Sequence, residues 1–334
     1  MVAITLKEKI VVKKLLITLL TASSLIVSVP LFAAETQKLR FGMQASVASN
    51  EYRAAEHAAA MLKELSGGSF IIRLYPDAQL GDDREMLEQV NIGDLDITYA
   101  QLGRIGDWIP RAKVTELPYV IRDFEHIKSI YNSAWGHQLR QEMIDNYNWH
   151  PMAISYFGTR QTTANRKITS LADFKDIKLR VPNAKPMLDF AKYVGASALP
   201  IAFSEVYLAL KTNAVDGQEN PLPTIKAKKF YEVQKHIALT NHMVQDLVTV
   251  VSAITYQTLS KENRQLLEQS LESGARHMAN AVLEGEASLI DFFQQQGLTV
   301  TKPDLAPFKA AMKPMYDQFE KKNNKGLVAQ IGAM

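Results

Sequence analysis

The sequence predicts an exported α/β protein of two lobes, and three observations carry the prediction. Segments with strand-type and helix-type patterning alternate, the alternation resumes in the second half, and the opening residues have the make-up of an export signal. Strand, helix, strand, helix, strand at short spacing is the pattern of parallel βαβ units. Residues 35–334 are numerous enough for two cores rather than one.

The opening segment carries Lys7, Lys9, Lys13 and Lys14, then an apolar run from Leu15 to Phe32, then Ala33 and Ala34. A charged start, an apolar run and small residues define a cleavable signal peptide over residues 1–34. An uncleaved anchor is the alternative, because the run approaches spanning length. Ser23, Ser24, Ser28 and Pro30 interrupt it, however, and no stop-transfer charges follow. A start at Val11 or Val12 would leave a more compact signal. Subtracting its four lysines and Glu8 from 38 basic and 35 acidic residues leaves 34 of each. A mature chain of zero net charge has no nucleic-acid footprint. There is no cysteine, so disulfides, thiolate metal sites and cysteine nucleophiles are excluded. No other long apolar run occurs, and a soluble periplasmic protein is expected.

Leu39, Phe41 and Met43 alternate as a first strand. Ser49 or Asn50 caps a helix in which Ala55, Ala58, Ala59, Leu62 and Leu65 recur at helical spacing, stopped by Gly67 and Gly68. Phe70 to Tyr75 reads as a strand, Asp83 to Asn91 as a helix and Leu95 to Gln101 as a third strand. In the second half Met152 to Tyr156, Ile177 to Val181, Ala214 to Gln218 and Leu247 to Ser252 are strands. Lys185 to Val194 and Ser204 to Lys211 are helices.

Ser260 caps one further helical stretch running to Gly297, with Leu267, Leu271, Met278, Val282, Leu289 and Phe293 near one stripe. Unbroken, it would be ~50 Å long at ~1.5 Å per residue, enough to brace both lobes. Two ordinary helices broken at Gly274 or Gly285 are the alternative. No linker rich in proline, glycine or serine separates the halves, so the chain is expected to cross between lobes more than once. That assigns residues 35–157 and about 246–285 to one lobe, and 158–245 and about 286–334 to the other.

Candidate chemistry centres on arginine. Arg160 stands in GTRQTTANR (Gly158 to Arg166), crowded by polar residues. Arg180 lies in KLRVPNA (Lys178 to Ala184), near the carboxyl end of a strand that Pro182 stops, where open α/β sheets bind ligands. A guanidinium pairs with a carboxylate through two parallel hydrogen bonds. For either arginine taken alone, an ordinary ion pair is the simpler explanation.

Residues 39–320 resemble the periplasmic substrate-binding proteins of TRAP transporters throughout. RQTTANR, KLRVPNA, AFSEVYLALKTNAVDGQENP (Ala202 to Pro221) and AKKFYEVQKHIALTNH (Ala227 to His242) are long matches, most similar to the sialic acid-binding branch. The resemblance implies a two-lobed periplasmic binding fold with the ligand between lobes. It implies that Arg180 clamps a ligand carboxylate, that Arg160 reaches the same end, and that Asn220 and Asn183 supply amide contacts. Phe203 would form an aromatic wall, and Asp83 in GDDR would accept hydrogen bonds from ligand polar groups. His242, Arg104 and Glu219 occupy positions of a supporting network, with a purely structural role the alternative. The partners implied are a small organic acid and the small and large TRAP membrane subunits. The protein is expected to be a monomer, without cofactor or metal.

Two positions depart from the sialic acid-binding pattern. Gln44 stands where relatives tend to have asparagine, and Gln101 where they tend to have glutamate. Gln101 offers one acceptor and one donor group in place of two acceptor oxygens. A polyol arranged to donate into a carboxylate would lose about 1.5–3 kcal/mol there. A hexuronate, an aldonate or a C4-dicarboxylate-like acid is therefore the alternative to sialic acid.

Enzyme motifs are missing from the sequence. The seven histidines lack metal-ligand spacing, and there is no nucleophile elbow, P-loop or dinucleotide fingerprint. A carboxylate pair from Asp82 and Asp83 or Asp94 and Asp96 would suit a secreted glycosidase. Asp82 is more simply a helix cap and Asp94 a turn residue. A receptor domain presenting ligand to a sensor is a third possibility.

Overall fold

The computed structural model describes residues 36–334; the predicted signal peptide, its cleavage site and the alternative start lie outside them. Nine strands are present among the described residues: β1 Gln37–Gly42, β2 Phe70–Tyr75, β3 Ile97–Ala100, β4 Trp149–Ala164, β5 Lys178–Val181, β6 Ser197–Pro200, β7 Gly217–Pro221, β8 His236–Ser252 and β9 Thr299–Thr301. They form one sheet in the order β2-β1-β3-β8-β4-β7-β5-β6, with β9 against β8. One flank is the parallel trio β2-β1-β3 and the other the parallel trio β7-β5-β6. Between them β4 and β8 run antiparallel along their length, so the chain crosses between flanks on both strands.

Local signals in the first half match the observed elements closely. The helix Asn50–Leu65 is capped by the Ser49 hydroxyl, which accepts from the Tyr52 N–H at 3.1 Å. The helix Asp83–Ile92 begins with a reciprocal capping box between Asp82 and Glu85 and ends on Gly93 in the left-handed region. Asp82 is therefore a cap, as expected.

The expected strands at Met152–Tyr156 and Leu247–Ser252 are much too short, and the one at Ala214–Gln218 is displaced. Both β4 and β8 are buried on both faces along most of their length. Periodicity is erased when both faces are covered, and the polar run Thr159 to Thr163 disguised the middle of the sheet as a loop. The helices Phe124–Asn132 and Ala134–Tyr147 were also not foreseen.

The last long helix, Lys261–Gln295, is continuous, which removes the two-helix alternative. Its first part packs Leu267 and Leu271 with Leu39, Phe41 and Phe70. Its last part packs Leu289 and Phe293 with Val206, Ile225 and Phe230 on the other flank. A side chain at Gly274 would meet the Ala54 carbonyl at 2.7 Å, so glycine sets the close approach of the two helices. Glu286 ties this helix to the crossing: it accepts from the Tyr156 hydroxyl at 2.9 Å and the Thr159 N–H at 3.0 Å. Between those contacts lies Gly158, at φ +126° and a shift in the β4–β8 register. No helix among the described residues is long and apolar enough to cross a membrane.

Candidate functional site

The carboxyl ends of β1, β3, β5 and β7 converge on one cavity of about 370 Å³, a volume suited to a small ligand. Gln44 follows β1, Gln101 follows β3, Asn183 follows β5, and Asn220 sits near the end of β7. All eight residues singled out from the sequence line it: Gln44, Asp83, Gln101, Arg160, Arg180, Asn183, Phe203 and Asn220. They meet because in parallel units the residues that follow each strand gather at one edge of the sheet.

The two arginines differ in state. Arg160 is 3% exposed and forms a two-pronged pair with Glu219: Nε meets Oε2, and Nη2 donates to Oε1 at 2.7 Å. Nη2 also donates to the Glu219 carbonyl at 2.5 Å, and Nη1 to Gln245 Oε1 at 2.7 Å. Of five guanidinium hydrogens one on Nη1 remains, so Arg160 is chiefly an ion-pair residue with a single donor to spare.

Arg180 is 2% exposed and has no carboxylate partner among the described residues. Its Nε and Nη2 donate to the Ile201 carbonyl at 3.0 and 2.6 Å, and Nη1 is buried with no partner. Burial pulls the guanidinium down to about 9, against the opposing charges of Glu219 and Asp83. The group stays cationic at neutral pH. A buried, unpaired cation opening on a cavity is where an anion is stabilised most.

Behind Arg160 lies a closed network. Burial pushes the Glu219 carboxyl up, but Arg160 and His242 outweigh it and hold it at about 2. The His242 ring stacks on Phe190 with centroids 4.0 Å apart, and burial lowers its pKa. Its Nε2 is 3.0 Å from Glu219 Oε2 and its Nδ1 2.9 Å from Thr240 Oγ1. A carboxylate only accepts, so Nε2 carries the proton and Nδ1 accepts from Thr240. His242 and Glu219 therefore support Arg160.

The walls also touch across the cavity. Arg84 and Arg104, from the β3 side, both donate to the backbone carbonyl of Asn183 beyond β5, Arg104 at 3.3 Å. Lys228 Nζ lies 3.1 Å from Asp77 and 5.2 Å from the Phe203 ring centroid. Asp83 Oδ2 is 2.5 Å from Arg104 Nε, a charge contact out of line for a hydrogen bond. Part of its accepting capacity is thereby already taken.

Sequence reasoning passed over Glu51, Glu116 and Gln245, which also line the cavity. Gln245 was hidden with the rest of β8. Glu116 lies in a short 3₁₀ helix, Pro110–Glu116, where nothing in the residue pattern separates a buried acid from a solvated one.

Comparison with known proteins agrees with this architecture. The model of the bacterial extracellular solute-binding protein family 7 matches residues 41–323. The chain is 48% identical to the sialic acid-binding periplasmic protein SiaP of Vibrio cholerae, covering 97% of this chain and 99% of that protein. A TRAP periplasmic solute-binding protein from Polaromonas, solved with D-erythronate, superimposes with a TM-score of 0.84 at 28% identity, over 89% of this chain and 99% of that one. Another from Roseobacter denitrificans, solved with 3-deoxy-D-manno-oct-2-ulosonic acid, gives 0.84 at 27%, over 90% and 99%. With a family match across nearly all of the described residues, a relative 48% identical over almost the whole chain and a shared overall fold, the chain belongs to family 7 of the bacterial extracellular solute-binding proteins, those of TRAP transporters.

Proposed function

We propose that this protein captures a sugar acid monocarboxylate, sialic acid or a close relative, between the two flanks of its sheet and hands it to TRAP membrane subunits. The observation that carries the reading is the Arg180 guanidinium, buried on the cavity wall with Nη1 unpartnered and no carboxylate of its own. A ligand carboxylate completes it. Arg160 adds its spare Nη1 hydrogen, Asn183 and Asn220 offer amides, and Phe203 covers an apolar face. Gln44, Gln101 and Asp83 set selectivity on the other wall.

The 48% identity to a sialic acid-binding protein supports sialic acid as the first candidate. Gln101, an amide on the cavity wall, favours a shorter hexuronate or aldonate as the second reading, because an amide offers fewer acceptors to a long polyol. In the same reading it is an exported, monomeric binding subunit without catalysis, carrying a cleavable signal peptide over residues 1–34. Its lobes, 35–157 with about 246–285 and 158–245 with about 286–334, close around the ligand.

A thermal-shift panel of N-acetylneuraminate, D-glucuronate, D-galactonate and succinate tests the reading, since only a ligand that binds the folded state raises the melting temperature. The expected result is a rise with one or more of the sugar acids and none with succinate. No rise with any sugar acid, or turnover of one, would overturn it.

A further inference from the structure

Glu116 is 3% exposed, lines the ligand cavity, and its Oε2 is buried without a hydrogen-bond partner. Space for it is made by Gly103. A Cβ at that glycine would stand 1.9 Å from Glu116 Cγ, 2.3 Å from Cδ and 2.6 Å from Cβ. Gly103 has no positive φ, so conformational freedom does not explain it, and room for the Glu116 side chain does.

Two cations act on it, Arg104 and Arg160, but neither donates a hydrogen bond to Oε2. Arg104 is the nearest cation of the adjoining helix Leu102–Ile105, and it already faces Asp83 at 2.5 Å and Asp107 at 3.6 Å. Arg160, from β4, is taken by Glu219. Asp246, from β8, accepts the Leu102 N–H at 2.9 Å and adds a further carboxyl beside Glu116. An ionised carboxylate here would be buried and without a donor at Oε2, and the acids Asp83, Asp107 and Asp246 offset the nearby Arg104 and Arg160.

We propose that Glu116 is a ligand-contacting specificity residue, protonated in the complex, whose Oε2 donates a hydrogen bond to a hydroxyl oxygen of an acid held at Arg180. The proposal rests on the carboxylate reading of Arg180. Burial raises the Glu116 carboxyl to about 7, with Arg104 and Arg160 opposing and Asp107 and Asp83 reinforcing. A ligand that displaces water from the cavity drives it further the same way, so binding takes up a proton. The ligand class this selects is a hydroxylated monocarboxylate. A second carboxylate at this position would meet acids already crowded together, and a bare hydrocarbon would leave Oε2 unsatisfied.

The test is calorimetry with N-acetylneuraminate and D-glucuronate, using whichever stabilises the unmodified protein, from pH 6 to 8.5 in buffers of different ionisation enthalpy. The expected results are an affinity that falls about tenfold across the range, the order of one titrating group, with proton uptake visible as buffer-dependent heat. Glu116→Gln, which keeps a donor but cannot titrate, should bind with a clearly shallower pH slope and less proton uptake, the remainder belonging to Asp246, also raised to about 7, and Arg180, at about 9. Glu116→Ala should lose tenfold or more at pH 6. Arg180→Ala separates the two readings, since undiminished binding there overturns the carboxylate clamp itself. With Arg180→Ala inactive, a Glu116→Gln profile as steep as that of the unmodified protein overturns the role of Glu116. That comparison stands even if the alanine variant does not fold.

Discussion

Arg160 Nη2 lies 2.7 Å from Glu219 Oε1, and both side chains are almost completely buried. Twenty residues further on, Arg180 enters the same cavity and, among the described residues, makes no salt bridge. One arginine has spent its charge on the protein and the other has kept it. That difference divides the site into a fixed support and an open receptor.

Arg180→Ala is expected to abolish binding of sugar acids while leaving the fold intact, because the residue holds only one backbone carbonyl, that of Ile201. Arg180→Lys should keep a weak remnant, since a lysine cannot reproduce the planar fork. Calorimetric affinity checks both, and near-normal binding by the alanine variant would refute the clamp.

Glu219→Ala should behave in the opposite way, as a stability variant. It strands the Arg160 charge in the interior and costs about 3–5 kcal/mol. Denaturant midpoints measure this, and a loss confined to ligand affinity would contradict the supporting role.

Glu116 should make the stability of the folded state fall as pH rises. Its folded carboxyl sits at about 7 against 4.5 for the free group, so the folded state holds the extra proton in that window. Stability from this group therefore falls as pH rises from about 4.5 to 7, and the penalty is complete above it. The gain of Glu116→Gln over the unmodified protein should grow from near zero at pH 4.5 to about 3 kcal/mol at pH 8.5. Ligand-free melting at several pH values reads the difference directly.

Gly158→Ala should destabilise by about 1–3 kcal/mol. The glycine has φ +126°, and an added Cβ would stand 2.7 Å from Pro221 Cβ and 3.2 Å from Glu286 Oε1. Urea unfolding tests it; a neutral result would show that the β4 crossing relaxes at little cost.

Gly103→Ala should be costly in the unmodified protein and less costly beside Glu116→Ala, which removes the clashing Cγ and Cδ but keeps a Cβ 2.6 Å away. The coupling is read from a double-mutant cycle of melting temperatures. Additive effects would mean that Gly103 serves some other contact.

The cavity wall was legible in the sequence wherever a residue stood just beyond an alternating strand or inside a long family-like motif, as Arg180 and Asn183 do. It was illegible where burial was two-sided. Thr159 to Thr163 and Thr240 to Asp246 are polar in sequence yet lie in the central strands, satisfied by pairs such as Thr163 Oγ1 to Gln234 Oε1 at 2.8 Å. Polarity suggested solvent there, and only the neighbouring strands reveal the partners. Helices with a cap and a stop, such as Asn50–Leu65, were readable because their signals are local. The state of Arg160 was not, because its partner Glu219 arrives from a different strand.

The sheet is also a statement about order of assembly. Ile97 of β3 pairs with Val251 of β8, and the trio β2-β1-β3 joins the rest of the sheet only through that strand. The amino-terminal flank therefore waits for nearly the whole chain before its edge is covered. A chain truncated before β8 leaves the β3 edge of that flank bare, the kind of surface on which nascent proteins aggregate.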